Sequence, residues 1–385
     1  MVAAVRSGKS QRGVARSFHV TLRTVQRWLA RAGSYRLDHV DWSSRSRAPH
    51  RMPGHTSPET ETAVLTCRRE LKEESPLGFY GADAIRETLQ SDGRVDSVPS
   101  VRTIGRILTR NGALDSRRRS RRAAPGPGWY LADVAQGRAE LESFDIVEGL
   151  VIEDHGEVEV LTGRALWGSE TVAWTNSKLD AKSLVTSLLD HWRAYGLPDY
   201  VQFDNDTRFT GPHHHPDVVG RVTRVCLSLG ITPVYTPPRE TGFQAAIESF
   251  NNVWQQKVWS RYHHRDLAYL RGRSDRFIDA YINRLGRRGE SAPQRRPFPT
   301  GWQMNLQADL SGRIIYLRRT DDNGAINLLG HKFHIDTNWP HRLVRCEFRV
   351  AEGEIFCYRL RRREPAQQPL LKVIKHCLPK RKSDE

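Results

Sequence analysis

Three acidic residues stand in apolar surroundings at separate places in the chain. Asp145 lies inside an apolar run, Asp204 directly follows the apolar run Tyr200–Phe203, and Glu248 lies in the apolar start of a helical segment. A lone carboxylate in such surroundings is costly unless it meets a cation. Mg²⁺ takes oxygen ligands from few carboxylates plus phosphate oxygens, and two ions can stabilise the attacking and leaving oxygens of an in-line phosphoryl displacement. We therefore predict that these three acids bind two Mg²⁺ (or Mn²⁺) ions.

Two further acids compete for places in this site. Asp133 is a rival first acid, but it directly follows a Pro-Gly segment and lacks a full apolar strand, so Asp145 is favoured. Asp206 follows Asp204 closely and is either a fourth ligand or a solvated turn residue. The second interpretation is preferred.

Other polar and aromatic motifs favour structural interpretations. The run His213-His214-His215 is interpreted as a polar loop, because adjacent histidines cannot easily share one ion and no Cys/His cluster lies nearby in sequence. Asp322-Asn323-Gly324 lies between β-type segments and is predicted to be a type I′ hairpin turn. Trp254 and Trp259 are expected to pack in the core.

The segments around the three acids predict an α/β module over residues 131–288, with a mixed sheet flanked by helices. Ligands gather at strand ends in such sheets, where Asp204 is placed. Strands are predicted at Phe144–Ile152, Glu157–Thr162, Thr171–Thr175, Tyr200–Phe203 and Ile231–Tyr235, and helices at Ala181–Tyr195, Asp217–Leu229 and from Gly242 onward.

After Pro299 the pattern is again of β type and predicts a small all-β barrel over residues 300–364, followed by a basic tail over 365–385. Asn323-Gly324 and Glu352-Gly353 are the expected hairpin turns. The strands are predicted at Arg313–Arg318, Ile326–Leu329, His331–Ile335, Leu343–Val350 and Ile355–Leu360.

The region before the α/β module contains an internal repeat, Thr21–Gly33 against Ser100–Gly112. Each copy begins with a residue suited to cap a helix, continues with apolar residues at helical spacing and ends with a glycine. Short helices are predicted before them at Gln11–Phe18 and Gly81–Gln90. We therefore expect two helix-turn-helix units, over residues 1–35 and 56–114, with the opening helix of the first short or missing.

Arginines in the repeated helices and in the segment after them indicate DNA binding, although such helices can also simply pack a small bundle. A basic Pro/Gly linker over residues 115–130 is expected to follow DNA phosphates, and two cations on the helix after Glu248 are candidates for the same contact. The candidate DNA-binding residues are Arg23, Arg27, Arg102, Arg106, Arg117, Arg118, Arg119, Arg121, Arg122, Lys257 and Arg261.

Composition supports a polyanionic partner. The chain has 385 residues, a formal net charge of +16 and a pI near 10.0. Basic residues outnumber acidic ones before residue 130 and after residue 285, and acidic residues predominate between. Five widely spaced cysteines indicate neither a disulfide framework nor a zinc knuckle. No membrane span is indicated, so we expect a soluble cytoplasmic protein that associates with the nucleoid of a prokaryotic cell.

The segment from Phe144 through Trp259 resembles the integrase core of insertion-sequence transposases, which are related to retroviral integrases. The resemblance lies in Asp204-Asn205-Asp206 and in the proline-rich loop and helix Thr236–Glu248. It implies a ribonuclease-H-like fold, a metal-binding triad of Asp145, Asp204 and Glu248, and polynucleotidyl transferase (DNA transposase) activity.

The resemblance also implies that double-stranded DNA is the partner, both as element ends and as target, and that the working form is at least a homodimer. Two features depart from the family pattern. The interval from Asp204 to Glu248 is longer, with the excess around Gly211–Pro216, and Asp206 replaces the usual glycine. The alternative functions are a catalytically inactive helix-turn-helix regulator and a ribonuclease-H-type nuclease.

Overall fold

The computed structural model describes residues 1–43, 56–114, 126, 128–153, 155–212, 215–240, 242–289 and 291–379. The chain divides into two compact units, Met1–Pro58 and Glu59–Glu385. None of the helices in the described ranges is both long and apolar enough to cross a lipid bilayer.

The first unit contains three short helices, α1 (Val2–Arg6), α2 (Gln11–Ser17) and α3 (Leu22–Ala32). Thr21 caps α3, as the sequence predicts, because its side chain accepts a hydrogen bond from the Thr24 amide. Gly33 ends the helix with a φ of 45°. The opening helix is present but has only five residues. The small hydrophobic core of this first unit is formed by Val14, Ala15 and Val25.

The second unit begins with three helices, α4 (Pro58–Glu73), α5 (Ala82–Asp92) and α6 (Val101–Arg110). Ser100 caps α6 in the same way that Thr21 caps α3. Each helix contributes fully buried apolar residues to one cluster. These residues are Val64, Cys67, Ile85, Leu89, Ile104, Ile107 and Leu108.

The α/β module contains the five strands that the sequence predicts. Strands β1, β2 and β3 pair in antiparallel fashion, whereas β1, β4 and β5 run parallel to one another, in the spatial order β3-β2-β1-β4-β5. The mixed sheet is therefore confirmed. The strands are β1 (Leu141–Ile152), β2 (Gly156–Ala165), β3 (Thr171–Asn176), β4 (Tyr200–Phe203) and β5 (Thr232–Tyr235).

Helices cover both faces of this sheet. Phe144 of β1 packs in a cluster with residues of α8 and α10, while Val147 of the same strand packs with residues of α11 and α12. Successive side chains of a strand point to opposite faces, so the two clusters mark the two sides of the sheet. The helices are α7 (Ala132–Ala135), α8 (Ala181–Tyr195), α9 (Thr207–Thr210), α10 (Arg221–Ser228), α11 (Ala245–Trp254) and α12 (Leu267–Gly289).

Two helical boundaries differ from the prediction. Helix α10 begins at Arg221 and not at Asp217, whose φ of 64° lies in the left-handed region. The long helix predicted from Gly242 is interrupted. A π-helical turn over Gln255–Trp259 follows α11, and α12 starts only at Leu267. Trp254 is buried in the core, as expected, and Trp259 packs against that core.

The C-terminal strands do not form the separate small barrel predicted for residues 300–364. Strand β6 pairs in parallel with β5 and in antiparallel fashion with β9, so the described strands continue one nine-stranded sheet, while β7 and β8 pair separately. This arrangement satisfies the backbone groups at the edge of β5, which would otherwise be unpaired. The strands are β6 (Arg313–Arg319), β7 (Ala325–Leu328), β8 (His331–His334), β9 (Leu343–Arg349), β10 (Glu354–Leu360) and β11 (Leu370–Lys375).

Two other C-terminal predictions are corrected. Strand β11 lies in the segment predicted to be a basic tail. Asn323-Gly324 forms a turn in which the Gly324 amide bonds to Asp321, but it joins no hairpin, because β6 pairs with β9 and β7 with β8. Glu352-Gly353, in contrast, does connect two paired strands, β9 and β10.

Candidate active site

Asp145 lies in β1, and Asp204 directly follows β4, the parallel neighbour of β1. The register pairs Ser143 of β1 with Gln202 of β4, and their side chains hydrogen-bond at 3.0 Å. Asp145 and Asp204 each lie two residues further along the chain, beyond the paired positions. Asp204 is close enough for its charge to raise the pKa of Asp145.

Helix α11 brings Glu248 to the same place. The helix packs on β1 and β2, and the Nδ2 atom of Asn251 donates a hydrogen bond of 2.7 Å to Oδ2 of Asp145. Glu248 precedes Asn251 by three residues and therefore lies on the adjoining turn of the same helix face. Its Oε1 atom accepts from the amide of Gly242, at 3.4 Å.

The electrostatics of these acids reflects burial and mutual repulsion. Burial, followed by the charges of Asp204 and Glu248, raises the pKa of Asp145 to about 6, although hydrogen bonds from Ile146 and Asn251 oppose the shift. Burial also raises the pKa of Asp204. A divalent cation bound between these half-buried carboxylates would offset their mutual repulsion and favour their charged forms.

The donor set fits Mg²⁺ or Mn²⁺, because every candidate ligand is an oxygen. Among the described residues, the one group of three His, Cys, Asp or Glu residues whose ligand atoms all lie within 4.8 Å of one another is a different one, so the three acids do not meet that spacing. Beside them, the buried atoms Asn251 Oδ1 and Gln244 Nε2 have no hydrogen-bond partner among the described residues. Unsatisfied buried polar atoms are uncommon in folded proteins, and each of these two atoms can still take a hydrogen-bond partner.

The rival acids lie in other environments. Asp133 is on α7, where its half-exposed side chain forms an ion pair with Arg138 at 2.7 Å. Asp206 caps α9 by accepting from the amide of Arg208, and it also forms an ion pair with the Arg208 side chain. Asp206 is thus neither a free ligand nor a simply solvated turn residue.

Strand β6, from the C-terminal part of the chain, helps to position the segment that carries Asp204. Arg318 of β6 donates to Oδ1 of Asn205 at 3.1 Å and to the carbonyl oxygen of Thr236 at 3.2 Å. Asn205 in turn donates to the same Thr236 oxygen at 2.7 Å. The turn after β4 is therefore held from the C-terminal side of the sheet.

The candidate DNA-binding arginines of α3 and α6 are exposed. Arg102 and Arg106 lie on the opposite side of α6 from Ile104 and Leu108, and within the described ranges neither has an acidic partner. Arg23 and Arg27 are exposed on α3 in the same way. The linker residues Arg117, Arg118, Arg119, Arg121 and Arg122 lie outside the described residues.

Lys257 and Arg261 contact protein carbonyl groups. The Nζ atom of Lys257 donates to the carbonyl oxygen of Gly78 at 2.8 Å. Arg261 donates to the carbonyl oxygens of Ser75, Lys72 and Glu73, the last two in the final turn of α4. These bonds tie the α4–α5 connection to the helix after Glu248 and account for both cations without DNA.

Sequence reasoning missed three groups of polar residues. Asn251 could have been found from its spacing, since it follows Glu248 by three residues on an otherwise apolar helix. The other two groups are the buried partners of Glu142 and the set Asp217, His331 and His376. Their members come from distant parts of the chain, so no local sequence pattern predicts that they meet.

Comparisons with known proteins found retroviral integrases among solved structures. The catalytic core domain of BIV integrase is 14% identical, covers 36% of this chain and 81% of that one, and has a TM-score of 0.27. A chain from the simian T-cell lymphotropic virus intasome in complex with PP2A regulatory subunit B56 gamma is 14% identical, with 78% of this chain and 96% of that one covered and a TM-score of 0.32. The HTLV-2 integrase catalytic core in complex with magnesium is 12% identical, with 43% and 84% covered and a TM-score of 0.25.

No protein-family model matches the sequence, and the search of curated proteins found no match.

Proposed function

We propose that the chain is a DNA transposase, a polynucleotidyl transferase whose Asp145, Asp204 and Glu248 hold two Mg²⁺ or Mn²⁺ ions. The observation that supports this proposal is that Asp145 of β1 is buried and feels the charges of both Asp204, which directly follows the neighbouring strand β4, and Glu248 of α11. Such a site suits phosphodiester chemistry.

Each residue has a distinct part in the proposed site. Asp145 and Asp204 offer oxygen ligands from the rigid sheet, and Glu248 offers one from α11. Asn251 orients Asp145 through its 2.7 Å hydrogen bond. Bound ions would activate the attacking water or 3′-hydroxyl and offset the charge on the leaving oxygen. The same site would serve cleavage at an element end and joining of the freed end to target DNA.

The remaining parts of the chain would hold double-stranded DNA. Exposed Arg23 and Arg27 of α3, and Arg102 and Arg106 of α6, lie on the helix faces opposite the buried apolar residues, where they would meet phosphates or base edges as in helix-turn-helix units. The net charge of +16 favours such a partner. Two element ends have to be joined in one event, so the working form would be at least a homodimer.

The test of catalysis is metal-dependent nicking of supercoiled plasmid by the full chain. Asp204→Asn should reduce nicking in Mg²⁺ or Mn²⁺ to background while leaving DNA binding nearly unchanged, because only the ion site is altered. Asp133→Asn is the matched control, since Asp133 is paired with Arg138 and should be dispensable. Equal loss of cleavage and binding in Asp204→Asn would indicate a structural role for Asp204.

The test of DNA binding is the double substitution of Arg102 and Arg106 by Gln. If both contact phosphates, the salt dependence of binding should flatten by about one unit of slope per contact. A guanine contact would instead cost about 1–3 kcal/mol at one base-pair position. Unchanged affinity and salt slope would show that α6 does not touch DNA.

Assays of the wild-type chain distinguish the proposed transposase from the two alternative functions. A DNA-binding regulator would bind DNA without nicking it in any divalent metal. A hydrolytic nuclease would nick DNA but would not join a 3′-hydroxyl end to a second DNA molecule. Strand joining by the wild-type chain is the result that the proposal requires.

A further inference from the structure

A second polar cluster lies outside the proposed catalytic site and is not used by it. Asp217 accepts from Nε2 of His331 at 3.1 Å on both of its oxygens, and from Nε2 of His376 at 2.7 Å. One ligand atom from each residue lies within 4.8 Å of the others. In the described ranges of the chain no other group of His, Cys, Asp or Glu does this.

The three side chains converge from distant parts of the chain. Asp217 precedes α10, His331 opens β8, and His376 directly follows the edge strand β11. Both imidazoles present Nε2 to the same carboxylate, and their ring centroids are 5.1 Å apart. Two nitrogen donors and one oxygen donor thus point to one place, the arrangement that a transition-metal ion uses.

The protein backbone holds these residues in position. Asp217 has a φ of 64°, unusual for a residue other than glycine, and its amide donates to the carbonyl oxygen of Leu329 at 3.0 Å. The amide of His376 donates to Gly353 at 2.8 Å, and its ring lies 5.4 Å from that of Phe333. Backbone hydrogen bonds and the Phe333 ring therefore hold the candidate metal ligands in place before any ion binds.

We propose that Asp217, His331 and His376 form a binding site for one Zn²⁺-class transition-metal ion, which fastens the edge strand β11 to the core. Donors on a tetrahedral ion with bonds of about 2.0–2.1 Å lie roughly 3.3 Å apart, and the Nε2 atoms of His331 and His376 lie 3.1 Å and 2.7 Å from oxygens of Asp217. Asp217 also lines a cavity with His215 and Cys377, which leaves room for water at the fourth position.

This site differs in chemistry from the proposed catalytic one. Imidazole nitrogen suits Zn²⁺ and its neighbours in the first transition series, whereas carboxylates alone suit Mg²⁺. The inference does not depend on catalysis, because neither histidine touches the acids of the proposed active site. The metal would act by crosslinking three segments, as structural zinc does.

The test is equilibrium dialysis of the full, chelator-stripped chain against Zn²⁺ in an excess of Mg²⁺, with bound zinc measured by elemental analysis. One equivalent of zinc should be retained, and zinc should raise the melting temperature of the wild-type chain. Replacing a residue that only hydrogen-bonds to a metal ligand costs about 10–100-fold in affinity, so loss of a ligand itself in His331→Ala or His376→Ala should weaken zinc binding by at least about 100-fold.

Two control variants locate the ion. His341→Ala removes an exposed histidine that pairs with Asp322 alone, and it should keep full zinc binding. Asp204→Asn should keep it too, and if that variant lost the zinc, the ion would belong to the proposed catalytic site and the inference would be wrong.

A measurement on the wild-type chain guards against misfolded variants. Co²⁺ bound at this site should give stronger visible absorption than aqueous Co²⁺, without a thiolate band, since Cys377 is not one of the converging ligands. A spectrum identical to that of aqueous Co²⁺, with no retained zinc and no metal-dependent melting, would show a purely hydrogen-bonded cluster and overturn the proposal.

Discussion

Two carboxylates three residues apart on β1 lie in opposite electrostatic environments. Glu142 is fully buried against α8, where it contacts Nε2 of His191 at 2.7 Å, Nε1 of Trp192 at 3.2 Å and Nη2 of Arg295 at 3.0 Å. Burial alone would raise its pKa, but the charges of His191 and Arg295 lower that pKa to about 2. On the other face, burial and neighbouring acids raise the pKa of Asp145 to about 6.

The comparison shows that burial by itself does not mark a functional acid. Glu142 already has His191 and Arg295 as partners, so its charge is offset within the fold and the loss of this partner would leave the buried Arg295 unpaired. Asp145 has other acids as neighbours and hydrogen bonds from Ile146 and Asn251 that offset them only in part, so a bound cation would stabilise its charged form. Four substitutions or conditions should separate these two roles.

The largest expected effect is on activity. Asp145→Asn should reduce Mg²⁺-dependent nicking to background, because it removes a proposed ligand from the ion site. The same variant should be more stable than the wild type at pH 7 without metal, by about 1–3 kcal/mol, because a raised pKa means that the folded state resists the charged form. Urea unfolding of both chains measures this. A destabilised variant would show that Asp145 is structural, as Glu142 is.

The next effect is on stability. Glu142→Gln should lower the free energy of unfolding by about 3–5 kcal/mol, because the buried Arg295 loses its ionised partner. Asp190→Asn on the same helix as His191 is the control, since Asp190 forms only an exposed pair with Arg193 and should cost little. A loss below about 1 kcal/mol for Glu142→Gln would contradict the structural role.

The pH dependence of the free energy of unfolding gives a further test of the structural role of Glu142. The pKa of Glu142 is depressed in the folded state, so its contribution is fully present above the unfolded pKa and is lost as the pH falls from about 4.5 towards about 2. Over that window the wild type should lose up to about 3 kcal/mol more than Glu142→Gln. Parallel curves of unfolding free energy against pH for the two chains would contradict this assignment.

The smallest effect concerns Asn251, a positioning residue. Asn251→Ala should raise the Mg²⁺ concentration needed for half-maximal nicking by about 10–100-fold, because it removes the hydrogen bond that orients the proposed ligand Asp145. Saturating metal should restore much of the rate, because the three proposed ligands remain. Exposed Asn252, whose side chain bonds to the Glu248 carbonyl oxygen, provides the control Asn252→Ala. Equal effects of the two variants would indicate a general loosening of α11.

Local sequence patterns predicted much of the fold because they depend on near neighbours. Thr21 and Ser100 cap helices where the residue types suggest, and the five strands of the α/β module are found where apolar runs lie. The joining of β6 to β5 could not be predicted, since a strand edge has no sequence signature of its own. The predicted barrel was wrong for that reason.

The sequence by itself determined which residues are acids in apolar surroundings, and it thereby singled out Asp145, Asp204 and Glu248. Only the tertiary structure decided what each polar group meets. It brought Glu142 to His191 and Arg295, brought Lys257 and Arg261 to the carbonyl groups of another segment, and brought Asp217 to two histidines. The reason is physical: a residue's type is fixed along the chain, whereas its charge environment depends on neighbours that only folding supplies.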